Sequence, residues 1–587
     1  MSLAAAAKAE DTGTHLKVRI TRLKIEKFRA IAKADVDLGE TVALVGQNGA
    51  GKTSILRALN AFFNLDEERE DFLAGRHDHT NRSTSVIEVT FAGLGKTGIP
   101  SVRLGVDEVR VRLKMRRQPK WECWSDGGWK SAPGNLHQIL AQHITYALIP
   151  VRRDHSVAHD PASGLLLRVV ERWINDHSQR DHVSPRVAEM ASKLQKNSLR
   201  GLQERLRAIA PMEGAFSFEL GYTAQPDYRV LLQNLALTVN EGGQAIALAD
   251  AGSGTQSMAV FALYAHLANL EHKNFVLGLE EPEQNLHPQA QQQLMRSLES
   301  LGLQVIFTTH SPTIVDMLDH EHVVLCKRSK GRQRQLEVSV SQIKRSFFTD
   351  FDINRSAYYK FHRRRNSEFL FADFVVVTES PIDAAIVEHL LIASGNAPDQ
   401  LGISMVPLDG GVTHGSVDHM FHLLRGLGIP SAFVVDRDYF LPYLNDRREE
   451  SLDSHGFPQY ASDLQPNCLL DLIVPSDAER RQITSDLKAR PSAAMKQLTE
   501  YGFFCFMWAL EVDLINAAQP RERLYESLKV PSESRTTEAL LGTKKKAIKR
   551  QEHLIPAITG LSAGALPRSY QALRREIPRL ARAARVT

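Results

Sequence analysis

Residues 46–54 read GQNGAGKTS, and this stretch decides the fold of the first half of the chain. The β-rich run TVALV precedes it and the apolar-periodic run ILRALNAFF follows it, which predicts a strand, a glycine loop and a helix in series. Glycines allow successive backbone N–H groups to face a phosphate, Lys52 adds positive charge, and the Thr53 hydroxyl can ligate Mg²⁺. The pattern predicts a nucleotide-phosphate site formed by Gly46, Asn48, Gly49, Gly51, Lys52, Thr53 and Ser54.

Two later strand patterns end in groups that suit such a site. The run FVLGL ends in Glu280 and Glu281, and we expect Glu280 to ligand magnesium and Glu281 to polarise the attacking water. The run LQVIFTTHSP ends in His310, which we expect to sense the γ-phosphate. Between the phosphate loop and these strands, LADAGSGTQSM places Ser253 and Gly254 at a predicted helix start.

The second half begins with FVVVTESPIDAAIVEHLL at residues 374–391. Glu379 follows a buried-strand pattern and Asp383 lies in the first turn of the next helix, where an acid is also a favourable partner of the helix dipole. The run IPSAFVVDRDYF places Asp436 and Asp438 after another strand. Carboxylates gathered at one edge of a parallel sheet repel one another unless divalent cations neutralise them, so we expect Mg²⁺ or Mn²⁺ there.

Composition limits the class of protein. The 587 residues carry 43% hydrophobic and 24% charged residues with a net charge of +4, which is typical of a soluble globular protein of two or more domains. Basic residues concentrate in 327–365, with twelve Lys or Arg against three acids, and in 541–587, with eleven against two. Such runs are often solvated faces, and they also suit a polyanion. Four scattered cysteines, a polar leader and no apolar run of membrane length predict a cytoplasmic protein.

The phosphate loop, EEPEQNLHP, TTHSP and the GSGTQ turn together resemble the ABC-type ATPase superfamily, in its RecF-like and SMC-like branch. The resemblance implies ATP as a cofactor. It also implies a homodimer or higher homo-oligomer through the ATPase domain, because the signature turn of one subunit completes the nucleotide site of another. Asp71 is a weak candidate for the role of the glutamine loop.

The acid after one strand and the D-x-D after a later one resemble the Toprim domain, and their position after an ABC-type ATPase resembles the OLD family of ATP-dependent endonucleases, including Gabija-type nuclease subunits. The resemblance covers roughly residues 20–587. It implies late metal ligands, for which Glu511 and Asp513 in FFCFMWALEVDLI are candidates, and a late lysine, which we assign to Lys544, with Lys545 and Lys546 as alternatives. Ser380 departs from the family's usual glycine after the acid.

The expected fold class is α/β: an N-terminal ABC-type P-loop ATPase domain with a helical insertion, followed by a Toprim α/β nuclease domain with a helical C-terminal extension. We expect a leader at 1–15, the ATPase domain at 16–345 with a helical dimerisation insertion at 163–235, a basic linker at 346–367 and the Toprim domain at 368–587.

The expected function is an ATP-regulated, metal-dependent DNA endonuclease of anti-phage defence. DNA and a UvrD-like helicase are its expected partners, and no membrane is involved. A RecF/SMC-like DNA-binding ATPase that does not cut, and a Toprim nuclease that acts on RNA or tRNA, are the alternatives.

Overall fold

The structure is a computed structural model. It describes residues 18–80, 83–94, 108–150, 165–176, 179–200, 202, 228–232, 237–241, 244–247, 251–271, 274–284, 286–300, 302–330, 336–362, 367–408, 415–444, 452–465, 468–541 and 548–586. The chain divides into two compact units, Met1–Leu44 with Gly51–Ile314, and Val45–Ala50 with Val315–Thr587. Each unit is described by itself.

The strands of the first unit form two sets. The first set is antiparallel with the order β7-β6-β5-β4-β1-β2, and the second is parallel with the order β3-β12-β11-β8. A separate hairpin pairs β9 with β10. The strands are β1 (Arg19–Phe28), β2 (Ile31–Asp37), β3 (Thr41–Val45), β4 (Ser85–Ala92), β5 (Glu108–Met115), β6 (Pro119–Ser125), β7 (Gly128–Ser131), β8 (Ile144–Ile149), β9 (Thr238–Glu241), β10 (Gln244–Ala247), β11 (Asn274–Glu280) and β12 (Gln304–Thr308).

The helices of the first unit include α1 (Lys52–Phe63), α2 (Leu65–Leu73), α3 (Leu136–His143), α4 (Leu165–Asp176), α5 (Gln179–Leu194), α6 (Arg229–Leu232), α7 (Ser253–Glu271), α8 (Pro288–Ser300) and α9 (Pro312–Val315). Among them, α1 and α3 pack against the parallel set of strands. Others lie in the chain between the phosphate loop and the later strands. The described residues of the expected insertion, 163–235, are thus helical in α4, α5 and α6.

The second unit contains a hairpin and a small parallel sheet. Its strands are β13 (Val323–Lys330), β14 (Leu336–Ser341), β15 (Phe374–Thr378), β16 (Ile403–Pro407), β17 (Ser431–Val435) and β18 (Phe503–Cys505). Strands β13 and β14 pair in antiparallel fashion, whereas the other four form a sheet in the order β16-β15-β17-β18 with every pair parallel. The carboxyl ends of these four strands therefore meet at one edge of the sheet.

The second unit also contains helices, several of which contribute to the hydrophobic core beside the sheet. They are α10 (Phe347–Asp350), α11 (Arg355–His362), α12 (Pro381–Ala393), α13 (Pro398–Leu401), α14 (Gly415–Gly426), α15 (Leu470–Ile473), α16 (Asp477–Ala489), α17 (Pro491–Glu500), α18 (Leu510–Asn516), α19 (Ala518–Ser527), α20 (Thr537–Leu541), α21 (Gln551–Ile558) and α22 (Arg568–Val586). One continuous buried cluster joins β15 and β17 to α12, α18 and α22. In the part of the chain that the structure describes, no helix combines the length and apolarity that crossing a bilayer requires.

A close approach between β8 and β11 lies at one end of the first unit's parallel set of strands. Tyr146 is buried, and its hydroxyl donates to the carbonyl oxygen of Leu56 in α1 at 3.1 Å. Gly278 leaves room for this ring, because a Cβ atom there would overlap the Tyr146 hydroxyl and lie 2.6 Å from Cζ. The glycine therefore lets a strand side chain reach the helix that follows the phosphate loop.

We predict that Gly278→Ala lowers the free energy of unfolding by about 1–3 kcal/mol, because the added methyl group forces Tyr146 away from Leu56. Chemical denaturation of the purified chain measures this difference. Gly134→Ala is the matched control, since a Cβ atom at Gly134 would meet nothing within 4 Å. Equal stability of the two variants would contradict the packing argument.

Candidate metal centre and nucleotide site

The phosphate loop connects β3 to α1 through three glycines with positive φ. The φ angles are 136° at Gly46, 74° at Gly49 and 85° at Gly51, which directly precedes α1. A Cβ atom at Gly46 would overlap the carbonyl oxygen of Cys326. Only glycine adopts these angles without strain, so the sequence pattern and the backbone conformation agree.

The predicted ATPase side chains at the ends of β3, β11 and β12 come together in the first unit. Lys52, 6% exposed, places Nζ 2.8 Å from His310 Nε2. The same His310 nitrogen lies 3.7 Å from Glu281 Oε1. Burial and the nearby Lys52 lower the pKa of His310, so the ring is neutral at pH 7 and accepts a hydrogen bond from the ammonium group.

The two acids after β11 take different positions. Glu280 ends the strand and is 9% exposed. Glu281 has a φ of 41°, and its backbone N–H donates to the carbonyl oxygen of Thr308 at 3.1 Å. This turn aims Glu281 at His310, while Glu280 stays at the strand end, so the geometry suits the separate metal and water roles that we expect of them.

Glu283 is a residue of this site to which the sequence analysis gave no role. Its carboxylate accepts from the Thr309 hydroxyl at 2.7 Å and from the backbone N–H of His310 at 2.9 Å. Burial raises its pKa. This acid, two residues after Glu281, is visible in the sequence EEPEQNLHP. Only the fold shows that its carboxylate binds the loop of Thr309 and His310, which we call the histidine loop.

The signature turn stands at a helix start, as the sequence predicts. Ser253 and Gly254 begin α7, and the backbone N–H of Gln256 donates to the Gly252 carbonyl oxygen at 3.1 Å. The Gln256 side chain donates to the Ala251 carbonyl oxygen at 3.0 Å. These bonds stabilise the turn locally.

Asp71 lies in α2, beside a buried carboxylate network. Its Oδ1 atom forms an ion pair with Arg76 at 2.5 Å. Glu68 is fully buried beside it and accepts hydrogen bonds from Arg57, Asn60 and His77. Burial alone would raise the pKa of Glu68, but these hydrogen bonds bring it down to about 2. Protein donors thus compensate the Glu68 charge, and the network needs no metal ion.

The acids of the second unit gather where its parallel strands end. Glu379 follows β15 and Asp436 follows the adjacent β17, while Glu511 lies in α18, which follows β18 on the other side. Carboxylate oxygens of Glu379, Asp436 and Asp438 lie within 4.8 Å of one another. We call these three residues the carboxylate cluster.

Backbone donors and a lysine fix the carboxylate cluster. Glu379 Oε1 accepts from the backbone N–H of Asp436, and Asp436 Oδ1 accepts from the backbone N–H of Leu510, each at 3.0 Å. Lys549 Nζ lies 3.5 Å from Glu511 Oε2 and 3.9 Å from Asp436 Oδ2. Glu511 is fully buried. The lysine therefore connects the cluster to Glu511.

The electrostatics of this site favour cations. Burial, together with the charges of Asp438 and Asp383, raises the pKa of Glu379 to about 8. Burial and Glu379 raise the pKa of Asp436 well above its usual range. Burial lowers the pKa of Lys549, whereas the surrounding carboxylates, Glu511 above all, raise it. The net effect is an increase, which keeps the ammonium group charged. One ammonium group faces four carboxyl groups, and the raised pKa values of Glu379 and Asp436 mean that ionising all four is unfavourable without further positive charge.

A bound cation fits the donor set. All the gathered donors are carboxylate oxygens, which Mg²⁺ and Mn²⁺ prefer over nitrogen and sulfur. Asp383 is 3% exposed, and its Oδ1 atom has no hydrogen-bond partner among the described residues. A buried carboxylate oxygen without a donor is costly unless a cation compensates it. Glu379, Asp383, Asp436, Asp438 and Glu511 are thus the residues that would hold divalent ions.

Comparison with known proteins identifies two kinds of domain in the chain. Residues 19–99 match the AAA ATPase domain, residues 130–316 match a second AAA domain model (AbiEii toxin, Type IV TA system), and residues 370–438 match the Overcoming lysogenization defect protein-like TOPRIM domain. The OLD nuclease of Thermus scotoductus is 24% identical over 71% of this chain and 82% of its own length. The chain thus resembles OLD nucleases, with matches to AAA ATPase models followed by an OLD-like TOPRIM model.

Two further relatives match similar shares of the chain. The Old nuclease of Escherichia phage P2 is 21% identical over 75% of this chain and 80% of its own length. Endonuclease GajA of Bacillus cereus is 21% identical over 72% of this chain and 75% of its own length. The predicted order of ATPase and Toprim domains is therefore confirmed.

Ser380, the departure from the usual OLD-family glycine, has a clear role in the structure. Its φ and ψ are −145° and 162°, an extended conformation that any residue adopts. Ser380 is the N-cap of α12, and its hydroxyl accepts from the backbone N–H of Asp383 at 3.3 Å. Pro381 follows at the first helical position. Serine here stabilises the helix that carries Asp383 without backbone strain.

The structure uses Asp513 differently from the carboxylate cluster. Its two oxygens accept from the backbone N–H groups of Met507 and Trp508 at 3.0 Å and from the Ser569 hydroxyl at 2.5 Å. These bonds hold the loop before α18 and the start of α22. The sequence predicts Asp513 as a metal ligand beside Glu511, whereas in the structure both of its oxygens accept hydrogen bonds from protein donors.

Among the described residues, Lys549 reaches the carboxylate cluster through Asp436. Lys544, Lys545 and Lys546 lie outside the described residues. Lys549 belongs to the same basic run, GTKKKAIKR, but nothing in its spacing distinguished it from the three earlier lysines.

Arg437, between the two acids of D-x-D, is a further positioning residue that sequence reasoning missed. It is 4% exposed, its guanidinium carbon lies 4.0 Å from the Tyr460 ring centroid, and Nη1 donates to the Leu487 carbonyl oxygen at 3.1 Å. Its backbone N–H donates to the Trp508 carbonyl oxygen at 2.9 Å. The turn that carries Asp436 and Asp438 is thereby attached to the loop before Glu511.

We predict that Ser380→Ala lowers the free energy of unfolding by about 1 kcal/mol, because it removes the cap, whereas Ser380→Gly costs only a few tenths of a kcal/mol. Urea denaturation of both variants measures the difference. A gain of stability in Ser380→Gly would instead mean that serine is strained at this position.

Proposed function

We propose that this chain is an ATP-regulated, metal-dependent DNA endonuclease that hydrolyses phosphodiester bonds with two metal ions. The observation that carries the proposal is the carboxylate cluster, with oxygens of Glu379, Asp436 and Asp438 within 4.8 Å of one another. The similarity to OLD nucleases and to endonuclease GajA supports the reaction class.

Each side chain of the site has a task in phosphodiester hydrolysis. When bound, two Mg²⁺ or Mn²⁺ ions supply charge neutralisation, an activated water and stabilisation of the leaving 3′-oxygen. Glu379, Asp436 and Asp438 would hold the ions at the sheet edge, and Glu511 would complete the site from α18. Lys549, close to both Glu511 and Asp436, places a fixed positive charge where the scissile phosphate gains negative charge.

The first unit supplies the nucleotide control in this proposal. Lys52 binds the β- and γ-phosphates, Thr53 and Glu280 bind Mg²⁺, Glu281 orients the water, and His310 contacts the γ-phosphate. The distances among Lys52, His310 and Glu281 support these roles, because the three side chains are already assembled.

Within the second unit, one contact joins the phosphate loop to the strand before the metal centre. Gln47 Nε2 donates to Asp373 Oδ1 at 2.5 Å. Asp373 directly precedes β15, whose other end is followed by Glu379. Arg585 Nε donates to Asp373 Oδ2 at 2.8 Å. These contacts support a role for Asp373 in coupling the nucleotide state of the loop to the metal centre.

Self-association is part of the proposal. Trp173 in α4 and Met190 and Leu194 in α5 are 47%, 71% and 50% exposed. Exposed apolar side chains on helices suit a contact with a second copy, which supports the dimerisation role of the insertion at 163–235. We also propose a cytoplasmic role in anti-phage defence and a UvrD-like helicase as partner, on the likeness to endonuclease GajA and the OLD nucleases.

We predict that Glu379→Ala reduces plasmid nicking in Mg²⁺ or Mn²⁺ by about 100-fold or more, because the cluster loses a metal ligand. Agarose-gel assays of the conversion of supercoiled plasmid to nicked plasmid measure the rate. Glu388→Ala is the matched control, since Glu388 lies exposed on α12. The control should cut at the wild-type rate.

Two results would favour the alternatives. Absence of metal-dependent nicking by the wild type, with DNA binding and ATP hydrolysis retained, would favour a RecF/SMC-like ATPase that does not cut. Cleavage of tRNA but not of plasmid, lost again in Glu379→Ala, would favour an RNA nuclease.

We predict that Asp373→Ala brings the ratio of cleavage rates with and without ATP closer to one, while nucleotide affinity stays unchanged. The reason is that the variant removes the Gln47 contact and leaves the phosphate-binding side chains intact. Plasmid cleavage and fluorescent-nucleotide binding measure the two quantities, with exposed Asp399→Ala as the control and Lys52→Ala as the reference that loses nucleotide binding. A wild-type ATP response in Asp373→Ala would contradict the coupling.

A further inference from the structure

The last helix, α22, has one face in the core and one face rich in arginine. Tyr570, Leu573, Ile577 and Ala581 are at most 1% exposed. Between Arg568 and Val586 the helix carries six arginines and a single acid, Glu576. Such a helix is anchored by its apolar face and presents a strongly positive surface on the other.

Four of the arginines form a single row. Arg568, Arg575, Arg579 and Arg582 are all exposed and follow one another at intervals of seven, four and three residues, which is helical spacing. We call them the arginine stripe. At 1.5 Å per residue the stripe is about 21 Å long, which equals the axial length of about six phosphates along one strand of duplex DNA.

The stripe has more positive charge than its neighbours neutralise. Arg575 and Arg579 both pair with Glu576, each at 2.6 Å, although their side chains remain 77% and 65% exposed. One carboxylate shared by two guanidinium groups leaves net positive charge. Exposed ion pairs of this kind contribute about 0–1 kcal/mol to stability, so the fold gives little reason for the row.

The helix also links the stripe to the metal centre. At its start, the Tyr570 hydroxyl donates to the Leu510 carbonyl oxygen at 2.9 Å, and Ser569 binds Asp513. Leu510 immediately precedes Glu511 in α18. At the other end, Arg585 Nε contacts Asp373, next to the amino end of β15. The helix therefore extends from the metal-bearing edge of the sheet toward the opposite edge.

We propose that the arginine stripe is a DNA-backbone binding surface that guides the substrate strand to the carboxylate cluster. Guanidinium groups bind phosphate with paired hydrogen bonds. Contacts of this kind hold the backbone in register without reading bases. The inference rests on the proposed nuclease function and names the surface that would hold its polymeric substrate.

The experiment compares two triple variants of the full chain. The stripe variant is Arg575→Gln, Arg579→Gln and Arg582→Gln. The control removes three exposed charges from α16 and α17 by Arg481→Gln, Lys488→Gln and Lys496→Gln. Fluorescence anisotropy with a labelled duplex, in EDTA to prevent cleavage, gives the affinity over a range of salt concentrations. Thermal unfolding verifies that both variants fold.

The stripe variant should bind duplex DNA about 10- to 100-fold more weakly than the wild type. The slope of log affinity against log salt concentration should become shallower by about two to three, because each lost phosphate contact removes ~0.9 from the slope. The control should retain the wild-type affinity and slope. Hydrolysis of bis(p-nitrophenyl) phosphate, which is too small to reach the stripe, should be unchanged in both variants.

Each contrary outcome has a distinct meaning. Equal affinity and equal salt slope in the stripe variant and the control would refute the proposed role of the stripe in DNA binding. A loss of affinity for RNA duplex but not for DNA would overturn the substrate class. If the wild type hydrolyses neither plasmid nor the small ester, the nuclease function fails, whereas the anisotropy comparison still decides whether the stripe binds DNA.

Discussion

Repulsion between closely spaced, partly or fully buried carboxylates is the constraint on which the second unit depends. Glu379, Asp436 and Asp438 lie within 4.8 Å of one another, and Glu511 is fully buried beside them. A packed protein interior does not tolerate such charge without compensation. Lys549 supplies one positive charge, and an oxygen-ligated divalent cation would supply the rest. The pKa of Glu379, raised to about 8 by burial and the neighbouring carboxylates, reflects the same lack of compensating positive charge.

The surrounding structure holds these acids together despite their repulsion. Backbone N–H groups bind Glu379 and Asp436, and Asp513 fastens the loop before α18 to Ser569. Arg437 attaches the D-x-D turn to the Trp508 loop through its backbone N–H. None of these bonds touches a reacting phosphate. They orient the ligands in advance, so that metal binding need not reorganise the site.

Both units build their sites by the same principle. In the first unit, Lys52, Glu281 and His310 follow the parallel strands β3, β11 and β12, and in the second, Glu379 and Asp436 follow β15 and β17. Parallel strands bring residues that are far apart in sequence to one edge, where the backbone is free to turn toward a ligand. At the opposite edge of the second unit's sheet, Arg585 Nε donates a hydrogen bond to Asp373 Oδ2, next to the amino end of β15.

The sequence by itself determined the elements and the residues at their ends. The phosphate loop, the strand before Glu379 and the D-x-D turn are local patterns, in which hydrophobic periodicity, glycine freedom and residue charge act within a few positions. Tertiary structure alone decided which similar groups share a site. It separated Asp513 from Glu511, placed Lys549 beside Glu511 and Asp436, bound Glu283 to the histidine loop and made Ser380 a helix cap. Those outcomes depend on distances between segments that are remote in the chain, and no local pattern encodes such distances.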